Sequence, residues 1–196
     1  NLSSEDFIKM IKTMPTILGL TEESVKAKAE FYKKEFNLRD EDFIKMIKAT
    51  PSLLTLAEES VKAKAEFYKK EFNLSREDFN KMIKAFPGLL NHAEESVKAK
   101  EEFCKKEFNL SGEDFIKMIK SFPALLSYAE ESIIEKAEFY KKEFNLSSEE
   151  FIEMIKTMPA LLGYGEESVK GKHRQIEDLG RSEERRVGKE CRSRWS

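Results

Sequence analysis

The sequence predicts an all-α fold: an α-solenoid of five 36-residue repeats, each made of two α-helices and a short 3₁₀ turn begun by a proline. Three observations predict it. Asn-Leu recurs at Asn1, Asn37, Asn73, Asn109 and Asn145. A Pro-Xaa-Leu/Ile-Leu segment begins at Pro15, Pro51, Pro87, Pro123 and Pro159, which are all five prolines of the chain. Between these marks the apolar residues follow the helical period of about 3.6 residues. Units of this size bury their apolar faces against neighbours, so the expected core is a row rather than a ball. The 196 residues divide into units 1–36, 37–72, 73–108, 109–144 and 145–180, followed by a segment, 181–196, that breaks the period.

The first helix of unit one begins after Ser3, which with Asp6 forms an S-x-x-D capping box. Glu5 and Asp6 suit the positive end of that helix. Ser recurs at 75, 111 and 147; the second unit has Arg39 there, and Asp40 is its candidate cap. Phe7, Ile8, Met10, Ile11 and Met14 share one broad face and Lys9 and Lys12 the other, and Met10, Met46, Met82, Met118 and Met154 read as core filler. Pro15 ends the helix near Met14, because the residue before a proline is pushed out of the α region. Pro-Thr-Ile-Leu then makes a short turn that tucks Ile17 and Leu18 into the core.

A second helix is predicted from about Glu22 to Phe36. Val25, Ala29, Tyr32 and Phe36 form one apolar strip, with Ala27 and Phe31 on an adjacent one, as suits a helix that touches two neighbours. Glu22 with Lys26 and Glu30 with Lys34 are i,i+4 pairs that favour helix. Asn37 is a left-handed terminator, with Leu38 packing back. The fifth unit departs from the pattern after Val169, reading Gly171, His173, Arg174, Gln175 and Ile176. It is either a terminal cap or a point where the natural chain is cut short.

Residues 181–196 (RSEERRVGKECRSRWS) lack an apolar stripe and resemble the translation of a sequencing adapter over their whole length. We expect them to be a disordered, non-native tail; the alternative is a basic tail that binds nucleic acid or an acidic partner. Without them the formal charge falls from -2 to about -5, and Cys104 is the one remaining cysteine. A disulfide framework within the repeats is thereby excluded. Charged residues at 37% with apolar residues at 40% and 15 Phe describe helices with an apolar stripe and a salt-laced outer face, which argues against disorder of the body. No apolar run is long enough to span a bilayer, so no membrane partner is expected. Asn1 stands at a repeat boundary without a preceding Met, so a missing targeting segment carries no information.

The Leu-Ser-Xaa-Glu-Asp helix start, the Pro-Xaa-Leu-Leu turn and the Glu-Glu-Ser-Val start of the second helix, repeated through residues 1–180, resemble the mitochondrial transcription termination factor (mTERF) family. The resemblance implies two α-helices and a 3₁₀ turn per unit, stacked into a curved superhelix. It also implies binding to double-stranded DNA or RNA, regulation of organellar transcription or RNA metabolism, and residence in a mitochondrion or plastid. The alternative is a protein-interaction scaffold, for which the acidic balance of the body is a clue. In either case a monomer is expected.

Stacking at a constant offset would turn one lysine per unit into a row. Lys9, Lys45, Lys81 and Lys117 form one such row, with Glu153 replacing its fifth member, and Lys12, Lys48, Lys84, Lys120 and Lys156 form another. Such rows could follow phosphates, whose binding scales with the counterions that Lys and Arg release. They are equally readable as solvated faces paired with the Glu5-type and Asp6-type carboxylates. Lys26, Lys62, Lys98 and Lys170, with Lys33, Lys69, Lys105 and Lys141, make a further possible set. The units differ most after the proline, where His92, Tyr128 and Tyr164 replace Leu20 and Leu56 and are the candidates for stacking on bases. Drift in an exposed loop is the favoured explanation of those differences.

Catalysis is not expected. Glu-Asp pairs copied at helix starts are dipole partners, and the two histidines, His92 and His173, have no ligand-spaced neighbours, so neither a metal nor a cofactor is expected. Gly-rich phosphate loops and nucleophile elbows are absent.

Overall fold

The computed structural model describes the backbone of residues 2–193 and the side chains of residues 2–179. The side chains of the adapter-like segment therefore lie outside the described residues. Ten helices follow one another among the described residues: α1 (Ser4–Thr13), α2 (Glu22–Phe36), α3 (Asp40–Ala49), α4 (Glu58–Glu71), α5 (Arg76–Ala85), α6 (Glu94–Glu107), α7 (Gly112–Ser121), α8 (Glu130–Glu143), α9 (Ser148–Thr157) and α10 (Glu166–Ser193). The 3₁₀ turns Pro15–Gly19, Pro51–Leu54, Pro87–Asn91, Pro123–Ser127 and Pro159–Gly163 separate the short and long helix of each unit. The fold is all-α, an array of helical repeats. The backbone of α10 runs past position 180 to Ser193; Glu, Arg and Lys dominate there without a proline, a composition compatible with helix.

A serine cap starts the short helix of four units. Ser3, Ser75, Ser111 and Ser147 each accept, through Oγ, the backbone N–H three residues on, at 3.0–3.1 Å. Unit two differs from the expectation. Arg39 is its N-cap residue, Asp42 accepts the Arg39 backbone N–H at 3.3 Å, and Asp40 instead pairs with Lys33 at 2.8 Å. The physical reason is register, since Asp40 is already the first helical residue and its carboxylate is engaged by Lys33. Before each proline the chain leaves the α region, as at Phe86 with φ -142 and ψ 84. Asn37, Asn73, Asn109 and Asn145 are left-handed, with φ of 45 to 52. Each is followed by a leucine whose N–H returns to the last turn, as from Leu74 to the Lys69 carbonyl at 2.9 Å.

Packing runs along the array. Each long helix lies on the short helix of the next unit, α5 touches α7 and α7 touches α9, and the third, fourth and fifth 3₁₀ turns stack in sequence. Aromatic rings supply the joints. The Tyr68 ring lies 5.6 Å from Phe79 in the next unit, and Phe72 lies 6.0 Å from Phe115, two units on. Phe36 with Phe79 and Phe108 with Phe151 repeat the longer link at the same 6.0 Å. Three hydroxyls cross unit boundaries to carbonyls of the 3₁₀ turns: Tyr32 to Leu53 at 3.0 Å, Tyr68 to Leu89 at 3.2 Å and Tyr140 to Leu161 at 3.0 Å. In the third unit Cys104 takes the tyrosine position and is fully buried; that burial pushes its thiol up to about 12.

The first unit is the exception that shows which way each face points. Phe7 is 40% exposed, whereas Phe43, Phe79, Phe115 and Phe151 are buried. Leu18 is 66% exposed, against expectation, while Leu54, Leu90, Leu126 and Leu162 are buried. These positions face the preceding unit, and within the chain Phe7 and Leu18 have none.

Candidate nucleic-acid interface

The lysine rows divide by what they touch. Lys48 Nζ lies 2.9 Å from Asp6, Lys84 3.2 Å from Asp42, Lys120 2.7 Å from Asp78 and Lys156 3.6 Å from Asp114. Each cation ends one short helix and reaches back to the carboxylate that starts the short helix of the preceding unit. Hydrogen bonds from Lys48, Lys84 and Lys120 hold Asp6, Asp42 and Asp78 below the usual carboxylate range; Asp114 is lowered first by Ser111. This row is a clasp between units. Lys12, at its head, has no ion pair among the described residues.

The Lys9 row is different. Lys9 itself pairs with Glu5 at 2.9 Å, in a contact exposed on both sides. Lys45, Lys81 and Lys117 are exposed and form no ion pair among the described residues, although Glu41, Glu77 and Glu113 stand four residues before them. They sit on α3, α5 and α7, the successive short helices of units two to four. Each short helix carries its acids in the first turn, one of these lysines near its middle and the clasp lysine in its last turn, so stacking repeats Lys45, Lys81 and Lys117 as a stripe of its own.

The alternative set on the long helices is largely occupied. Lys26 pairs with Glu22 at 2.6 Å, Lys69 with Glu66, and Lys105 with Glu101 at 3.3 Å. Lys62, Lys98 and Lys170 lie 5.4–5.6 Å above the rings of Phe31, Phe67 and Phe139 in the preceding unit. Sequence reasoning misses two lysine groups. Lys28 donates to the Leu56 carbonyl at 2.6 Å and Lys64 to the Leu90 carbonyl at 2.7 Å, while Lys100 in the same slot is buried. A signal for the first group exists, since Lys28 falls between Val25 and Tyr32 on the apolar strip. Lys34 and Lys142 belong to the second group, in open grooves between successive long helices. Glu30, Glu35 and Glu58 line the first groove and Glu135, Glu138 and Glu143 the other. A cation ringed by carboxylates attracts phosphate poorly.

The three candidate stacking residues are engaged with the protein. The His92 ring lies 6.1 Å from Phe86, and burial lowers its pKa from 6.5. Tyr128 stacks on Phe122 at 5.9 Å. Tyr164 is more open, with Lys172 5.1 Å above its ring. The post-proline residues also join units directly: the Asn91 amide donates to Ser52 Oγ at 2.9 Å.

Among the described residues no three or more His, Cys, Asp or Glu side chains form a group that could hold a metal ion, and no helix is long and apolar enough to cross a membrane. No curated protein matches the chain. The family model described as mTERF matches residues 1–116 and 104–187, which takes in the capped short helices, the proline-begun turns and the clasps between units. The chain belongs to the mTERF family.

Proposed function

We propose that this protein binds nucleic acid along its short helices and acts by occupancy in organellar transcription or RNA metabolism, without turning over a substrate. The observation that carries the reading is the row Lys45, Lys81 and Lys117: exposed, equivalent by the repeat and free of ion pairs among the described residues. Family membership supports the ligand class and the organellar setting. In this reading Lys9 joins the row once Glu5 releases it, while Lys12, Lys48, Lys84, Lys120 and Lys156 chiefly tie units together. His92, Tyr128 and Tyr164 close their turns rather than stack on bases.

Fluorescence anisotropy with mixed-sequence duplex DNA and with RNA, across a salt series, tests the proposal. Replacing Lys45, Lys81 and Lys117 with Gln should flatten the log affinity against log salt slope for duplex DNA by about 3, near one unit for each phosphate no longer neutralised. The chain ended at Gly180 separates this effect from the six basic residues of the tail. An unchanged slope in the triple variant would remove the row from the interface.

The carboxylate-lined grooves between the long helices, with Phe31 and Phe139 among their lining residues, favour the second reading, a scaffold for a protein partner. Absence of nucleic-acid binding at low salt would select it.

A further inference from the structure

We propose that the hollow between the end of α6, the middle of α8 and the start of α9 is a docking socket for an arginine side chain of a protein partner. The socket is independent of nucleic-acid binding by the short helices and is tested without nucleic acid.

The repeat itself shows what this place holds. A glutamate stands in the last turn of the long helix at Glu35, Glu71, Glu107 and Glu143. At three of them the chain supplies a basic group. Arg76 Nη2, from the first turn of α5, donates to the Glu35 carbonyl at 2.8 Å. Lys98 Nζ lies 3.4 Å from the Glu71 carboxylate, and His173 Nδ1 lies 3.4 Å from that of Glu143. Neither the carbonyl nor the carboxylate of Glu107 meets such a group among the described residues. The sequence gives the reason, because counted from Glu107 the position of Arg76 is Ser148, that of Lys98 is Ile134 and that of His173 is Ala137. All three replacements line the cavity of about 70 Å³ that opens beside Glu107.

The walls suit an arginine. Phe108, Ala137 and Phe151 are buried and give an apolar floor, while Glu107 and Glu138 place carboxylates at the rim. An arginine stem lies on the first and its guanidinium meets the second, at the negative end of α6. Lys141 shares the rim. It does not exclude a guanidinium, since its counterpart Lys69 is held by Glu66 at the junction that Arg76 fills. Arginine is favoured over lysine because the planar fork of Arg76 reaches the helix-end carbonyl, whereas Lys98 stops at the carboxylate. Two carboxylates at the rim repel phosphate, so the occupant comes from a protein and not from nucleic acid.

Chemical-shift titration of the isotope-labelled full chain with N-acetyl-arginine methylamide tests this. Saturable shifts are expected at the amides of Phe108, Ser148 and Ile152. N-acetyl-citrulline methylamide, of the same shape but uncharged, should bind at least about fivefold more weakly. Ser148→Arg and Ile134→Lys each restore a residue that unit three carries, Arg76 or Lys98, and each should abolish the shifts with unchanged far-UV circular dichroism. If one variant loses helicity, the other decides. No saturable shift at these amides with the probe at tens of millimolar, equal binding of the citrulline probe or of N-acetyl-lysine methylamide, or shifts that survive in a folded variant would overturn the proposal.

Discussion

The hydroxyl of Tyr68 donates to the carbonyl of Leu89, 21 residues on, and so joins the second long helix to the third 3₁₀ turn at 3.2 Å. Tyr68→Phe removes that bond while the carbonyl keeps the His92 N–H at 3.2 Å. We expect a loss of about 0.5–1.5 kcal/mol in urea denaturation, with little change in helicity.

Cys104 occupies the equivalent slot without a strong donor. Cys104→Tyr should restore the crossing to the Leu125 carbonyl and raise stability by about 1 kcal/mol. A lower midpoint in the variant would mean that the neighbouring side chains have closed around the smaller thiol.

Phe79 is fully buried and touches rings from units one and two, whereas Phe7 is 40% exposed. Phe79→Ala should cost about 3–5 kcal/mol, and Phe7→Ala less than half of that. Equal losses measured in parallel would contradict the direction assigned to this face.

Thr21 caps α2 through Oγ, accepting the Ser24 N–H at 3.2 Å, but Ala93 precedes α6 with no side-chain acceptor. Its φ of -74 and ψ of 147 already suit a capping residue. Ala93→Asp should add about 1 kcal/mol, read as a higher thermal midpoint at neutral pH.

Stability should fall with acid in two windows. Burial lowers His92 from its ordinary 6.5, so the unfolded chain takes the proton first. The contribution is whole above 6.5, declines as pH falls below it, and His92→Tyr, the residue of unit four, should abolish that slope. Asp6, Asp42 and Asp78, depressed from 3.8 by their lysines, contribute fully above that value and lose their contribution as pH falls through the folded values. Thermal melts from neutral pH to strong acid, with Lys84→Gln as the comparison, resolve the second window.

Much of the fold is legible in the sequence because local signals coincide. Proline, the left-handed asparagine and the serine cap each mark a boundary by their own chemistry, independently of tertiary context. The cap of unit two is harder to place, because Asp40 and Asp42 offer alternative registers and only the backbone shows which amide is free. Leu18 belongs to the core by analogy with its copies, yet its burial depends on a preceding unit, as the burial of Leu54, Leu90, Leu126 and Leu162 shows. The lysine rows are visible as rows, but their division is not. Whether Lys48 meets Asp6 or solvent depends on the offset between stacked helices, which a repeat length does not encode. The position of Lys28 on the apolar strip marks it as inward-facing, but the carbonyl it meets, that of Leu56, belongs to the next unit and is set by the stacking.

The rings of Phe36 and Phe79 meet across an intervening unit. A purely nearest-neighbour chain of modules can melt inward from its ends one module at a time. Here the removal of any module also strips a ring from the module beyond its neighbour, which lengthens the stretch that must melt together. Five such modules should therefore denature as nearly one block, and a mid-array insertion of a foreign module should split that block in two even if it folds.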